Sequence, residues 1–121
     1  MATGFRNLTV YQKGFSLAME IYITGKNFPK DEIYGLTSQI RNCSRSVCAT
    51  IGEAYRKRRY PAHFVSKMTD ADMENSETQV WLDFAFACEY ISKETYDDFT
   101  AKSEEIGRLL NHAIENPDKY K

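Results

Sequence analysis

The sequence predicts an all-α protein, an up-down-up-down antiparallel four-helix bundle that takes up residues 1–121 as one domain. Three observations predict it. Apolar residues recur at intervals of three and four through four long segments, which is the period of one helix face. The three prolines, Pro29, Pro61 and Pro117, fall where that pattern breaks or begins, as proline's missing donor and fixed φ require. No segment alternates polar and apolar residues as a half-buried strand does. A chain of 121 residues with 42% apolar content has enough surface to bury one core and too little for two.

The first helix is expected from a cap at Asn7 to about Lys26, with Val10, Leu17 and Ile21 on one flank and Tyr11, Phe15, Ala18 and Tyr22 on the next. Asn27 to Glu32 reads as a short loop. A second helix is expected from about Ile33 to Arg59, where Leu36, Ile40, Cys43, Val47, Ile51 and Ala54 form a core stripe. Pro61 suits the first turn of a third helix running to about Ile91, with Phe64, Met68, Ala71, Thr78, Leu82 and Phe86 facing the core. Ser92 is the cap expected for a fourth helix, which carries Tyr96, Phe99, Ile106, Leu109, Leu110, Ala113 and Ile114 and stops at Asn116-Pro117. Short loops between these segments favour antiparallel neighbours.

The composition narrows function as well. No basic segment followed by an apolar stretch opens the chain, and no window approaches a membrane span, so a cytoplasmic protein with no membrane role is expected. Cys43, Cys48 and Cys88 follow no metal or redox spacing and are expected as buried free thiols. Net charge is −1, but Met1 to Tyr60 holds ten Lys/Arg against four Asp/Glu, whereas Pro61 to Lys121 holds six against thirteen. The first half therefore presents a positive potential that the average conceals, and an anionic partner follows from it.

Two helix faces exceed what a plain bundle needs. Opposite the core stripe of the second helix, Arg41, Arg45, Arg56 and Arg59 share a sector with Ser38, Cys48 and Gly52, while Lys57, Arg58 and Lys67 extend the positive region. Arg forks match phosphate geometry and small neighbours let a backbone approach, which makes Arg41, Arg45, Arg56, Lys57, Arg59 and Lys67 candidates for RNA or DNA. The alternative is a solvated face whose cations complement the helix C-terminus. On the third helix, Met73, Val80, Trp81, Phe84, Cys88 and Ile91 gather away from the core face, as expected of a homo-oligomer interface unless another helix covers them.

Catalytic chemistry has no candidate residues. His63 and His112 lack ligand partners at metal spacing, and Asp70/Glu74 lie on a helix flank without the Glu-x-x-His of a di-iron bundle. No glycine-rich phosphate loop or nucleophile elbow occurs, so a non-enzyme without metal or cofactor is expected.

Several runs resemble a known family. They are Phe5-Arg6-Asn7-Leu8-Thr9-Val10-Tyr11-Gln12-Lys13, then Phe28-Pro29, and most specifically Ile33-Tyr34-Gly35-Leu36-Thr37-Ser38-Gln39-Ile40-Arg41. Ile51-Gly52-Glu53-Ala54 and Glu77-Thr78-Gln79-Val80 add to them. Together they resemble the bacterial four-helix-bundle proteins named for reading frames in intervening sequences of 23S ribosomal RNA genes. The resemblance implies an up-down bundle and a homopentamer. It also implies kinship with the accessory protein of diversity-generating retroelements, a basic pentamer that binds a reverse transcriptase and nucleic acid. Two functions follow as expectations: an oligomeric bundle that binds nucleic acid through the second helix, or a scaffold for an enzyme partner such as a reverse transcriptase. Cys43 and Cys48 stand where the family has small residues, which implies packing rather than redox chemistry.

Overall fold

The protein is described over residues 3–121 by a computed structural model. Four helices make an up-down-up-down bundle: α1 (Thr9–Gly25), α2 (Leu36–Arg56), α3 (Pro61–Ala87) and α4 (Lys93–Glu115). Short 3-10 turns stand at Gly4–Asn7, Lys30–Glu32 and Pro117–Tyr120. Each helix packs on its two neighbours around the bundle, while the backbones of the diagonal pairs α1/α3 and α2/α4 do not approach one another among the described residues. Leu17, Ile21, Ile40, Val47, Ile51, Phe64, Met68, Leu82, Phe99, Ile106 and Leu110 fill the interior. No helix of the described residues is long and apolar enough to cross a membrane.

The helix ends differ from the expected ones for local reasons. Asn7 does not cap α1; it closes the Gly4–Asn7 turn, and Leu8 precedes the helix without a side-chain cap. Phe5 dictates this by packing edge-on against Tyr11, 5.1 Å between centroids, and against Gly52 of α2. Helix α2 begins at Leu36, after the 3-10 turn, because Glu32 Oε1 accepts the Leu36 N–H at 3.2 Å. Gly35 leaves room for that carboxylate, since a Cβ there would lie 2.9 Å from it. At the other end α2 stops at Arg56, and Tyr60 N–H closes a turn on the Lys57 carbonyl. Ser92 caps α4 as expected, its Oγ accepting the Thr95 N–H at 3.1 Å.

Helix α3 stops at Ala87, one turn early. Glu89 takes φ 63°, Tyr90 N–H bonds the Ala85 carbonyl and Glu89 N–H bonds the Phe86 carbonyl. This is the Schellman termination, with glutamate where glycine is the usual occupant. The reversal throws Ile91 into the core instead of along the outer face. The core face of α3 also follows a seven-residue repeat, Phe64, Met68, Ala71, Asn75, Thr78, Leu82, Ala85. A wheel of 3.6 residues per turn drifts by about 20° per heptad from such a repeat, which is why it placed Phe86 inside. Ala85 takes that position, and Phe86 lies outside, stacked on Tyr96 at 4.7 Å.

Candidate nucleic-acid interface

The six cations singled out on the second helix fall into separate places. Arg41 and Arg56 are 15 residues apart on one helix, about 22 Å at 1.5 Å per residue, so they do not form one site. Arg56, Lys57 and Arg59 are exposed at the α2 C-terminus and have no ion-pair partner among the described residues. Lys67 reaches back to Glu53 at 3.8 Å, so part of its charge is answered within the protein. Arg58 turns inward: its guanidinium lies 3.6 Å from the Tyr55 ring centroid and Nε donates to the Tyr55 carbonyl at 2.8 Å.

A further cation joins this corner that sequence reasoning missed. The Gly4–Asn7 turn packs on α2, and Phe5 lies against both Gly52 and Tyr55. Arg6, exposed and stacked 4.5 Å over Phe5, is thereby brought to the same end of α2 as Arg56, Lys57, Arg58 and Arg59. Sequence separation hid it: Phe5 reaches Gly52 and Tyr55 only through the fold.

The small residues between the arginines serve packing. Gly14 of α1 is so close to Cys48 that a Cβ there would stand 3.3 Å from its Sγ, and Gly52 receives Phe5. Cys48 is thus met by α1, and Gly52 by the N-terminal turn. Arg45 is exposed, its guanidinium 5.4 Å over Tyr22. Arg41 is held against α1, as described below.

On α3, Met73, Val80 and Phe84 form an exposed strip, and Cys88 continues it past the helix end. Trp81 does not share that exposure: it is half-buried, packs on the core and lies 5.7 Å from Phe84. Ile91 belongs to the core, as the turn at Glu89 dictates. Helix α3 is acidic beside this strip, and burial, then Glu77 and Asp70, raise the Glu74 carboxyl above its usual value. A second apolar strip, Phe15, Met19 and Ile23, runs along α1. Since α1 and α3 are diagonal, the two strips point to different sides of the bundle.

The thiols divide two to one. Burial pushes both Cys43 and Cys48 up to about 11, and Cys43 accepts the Thr78 hydroxyl at 3.3 Å. Cys88, expected inside, is exposed because the helix ends beneath it. No group of three or more metal-ligating side chains occurs among the described residues.

Fold and surface together define a small four-helix bundle with cationic corners and two exposed apolar strips. Residues 6–112 match the 23S rRNA-intervening sequence protein family, and the chain belongs to it. A crystal structure of a protein of unknown function from the S23 ribosomal protein family of Bacteroides thetaiotaomicron is similar, with 30% identity and a TM-score of 0.80. The similarity covers 88% of this chain and 95% of that one. No curated protein matches the chain.

Proposed function

We propose that this chain is a non-catalytic, self-associating bundle that binds the backbone of RNA or DNA through the cationic corner at the end of α2. One observation carries the reading: Arg6, Arg56, Lys57 and Arg59 converge there, exposed and without carboxylate partners among the described residues. A helix C-terminus accommodates a cation or two through its dipole. The convergence from two elements exceeds that need and suits a chain of phosphates.

Binding of this kind is electrostatic and indifferent to sequence, so affinity falls steeply with salt. The test is fluorescence anisotropy with two unrelated single-stranded RNAs across a salt series. Reversing Arg56, Lys57 and Arg59 to Glu weakens both RNAs alike and lowers the slope of log affinity against log salt by about 2, at ~0.7 for each phosphate no longer neutralised. Binding that ignores salt, or survives the triple reversal, overturns the reading.

The second strip favours an additional protein partner. A groove of about 280 Å³ lies beside it, with Phe15, Met19, Arg45 and Cys48 among its lining. If α3 joins copies of this chain, the α1 groove remains for an enzyme partner. Phe15→Asp would then abolish co-purification of that partner while leaving RNA affinity unchanged.

A further inference from the structure

At the opposite end of α2 from the cationic corner, a pocket of about 250 Å³ opens between the end of α1, the loop that follows and the start of α2. Its polar side chains are Tyr22, Lys26, Lys30, Thr37 and Arg41, and no carboxylate lines it. Phe28 and Ile33 give it an apolar wall. Glu32, the acidic residue next to Ile33 in sequence, is engaged elsewhere: Oε1 accepts Leu36 N–H and Oε2 accepts the Tyr90 hydroxyl at 2.8 Å.

Arg41 is fixed in this pocket before any ligand arrives. Its Nη2 donates to the Tyr22 carbonyl at 2.9 Å, and the guanidinium lies 4.6 Å over the Tyr22 ring. Gly25 permits this, because a Cβ there would come within 3.1 Å of Nη2 and 3.2 Å of Nε. Nε is buried with no hydrogen-bond partner, an unanswered donor of a kind proteins seldom leave. Lys26 Nζ stands 5.1 Å from the same ring, and neither Lys26, Lys30 nor Arg41 makes an ion pair among the described residues. One cation at the end of α1 answers the helix dipole. Three around one pocket repel each other until an anion joins them.

We propose that this pocket binds a phosphate monoester. A terminal phosphate carries about −1.5 to −2 charges and three acceptor oxygens, which matches one Arg fork flanked by two lysines. The volume is below the roughly 300–1,000 Å³ that encloses a drug-sized ligand, so the phosphate enters and what it is attached to stays outside. Tyr34, 93% exposed and next in sequence to the lining residue Ile33, is the free ring offered for stacking. The phosphate has two sources of the same chemistry: the 5′ end of a nucleic acid strand, or a small phosphorylated molecule. The site is separate from the α2 corner and stands without it.

The test is a titration of the full chain, followed by the NMR signals of the arginine Nε–H groups. Probes are inorganic phosphate, a mononucleotide 5′-monophosphate, and a short RNA with and without a 5′ phosphate. Inorganic phosphate should move the Arg41 Nε–H signal, and Arg41→Gln should weaken binding by about tenfold or more, as loss of a charge-assisted pair does. Should Arg41→Gln unfold, Lys26→Gln with Lys30→Gln alters only exposed side chains and should weaken binding likewise. Arg108→Gln, on α4 and in neither site, should leave phosphate affinity unchanged, and the Arg41 signal reports this pocket alone, so failure of this pocket and failure of the α2 corner read differently. Preference for the 5′-phosphorylated RNA over its 5′-hydroxyl twin, lost in Tyr34→Ala, assigns the strand end. Equal response to the mononucleotide assigns the small molecule. No movement of Arg41 with any probe, or movement that persists undiminished in Lys26→Gln with Lys30→Gln, overturns the proposal.

Discussion

Asn75 and Ser103 exchange two hydrogen bonds across the α3–α4 interface: Asn75 Nδ2 donates to the Ser103 carbonyl at 2.9 Å, and Ser103 Oγ donates to Asn75 Oδ1 at 2.9 Å. Both are buried, and Gln79 Nε2 adds a third bond to Ser103 Oγ at 3.0 Å. A pair of polar residues thus occupies a core position between the apolar Ala71 and Leu82 of the heptad.

Buried polar groups are most damaging when one partner is left alone. Asn75→Leu or Ser103→Ala alone should destabilise the bundle by about 1–3 kcal/mol each, and the double substitution by less than the sum. Urea unfolding of the four proteins measures this. Strict additivity would show that the two residues act independently.

Glu89 sits in the left-handed region at φ 63° to end α3. An L side chain there costs about 1–2 kcal/mol, partly offset because Gly has more freedom to lose on folding. Glu89→Gly should therefore raise stability by about 0.5–1 kcal/mol, read as a higher urea midpoint with an unchanged slope. A loss of stability would mean that the Glu89 side chain contributes more than its backbone strain removes.

Self-association, if it uses the α3 strip, depends on Val80 and Phe84, whose exposure makes them harmless to the isolated fold when changed. Val80→Asp with Phe84→Asp should give a smaller species by light scattering and leave the helical circular dichroism intact. Trp81→Asp tests something else, since Trp81 packs on the core and its loss should unfold the chain. A wild type that is monomeric at micromolar concentration would remove the interface altogether.

Glu32 accepts the Tyr90 hydroxyl and so favours its protonated form; this bond, then burial, pushes the phenol from 10.0 up to about 12. A group whose pKa is higher when folded stabilises the fold fully below its unfolded pKa, and the benefit disappears as pH rises through the folded one. Stability should fall between pH 10.0 and about 12 more steeply in the natural protein than in Tyr90→Phe, which keeps the ring on Phe28 at 5.7 Å. Parallel curves for the two proteins would show that the bond contributes nothing.

The sequence by itself determined the helices, their order and their antiparallel course. A three-and-four apolar rhythm needs only the geometry of one helix to be read, and three prolines and Ser92 punctuate it locally. The same local logic identified Met73, Val80 and Phe84 as surplus apolar residues, and all three are exposed. What it misplaced depends on how neighbouring helices meet. Ile91 and Phe86 exchanged their expected places because one left-handed residue and a heptad drift redirect the end of α3. Among the cations, a wheel shows which share a sector of one helix but not what covers that sector. The tertiary structure alone tied Arg41 to the end of α1, carried Arg6 to the far end of α2 and left Lys67 beside Glu53, because charge is placed by contacts between segments distant in sequence.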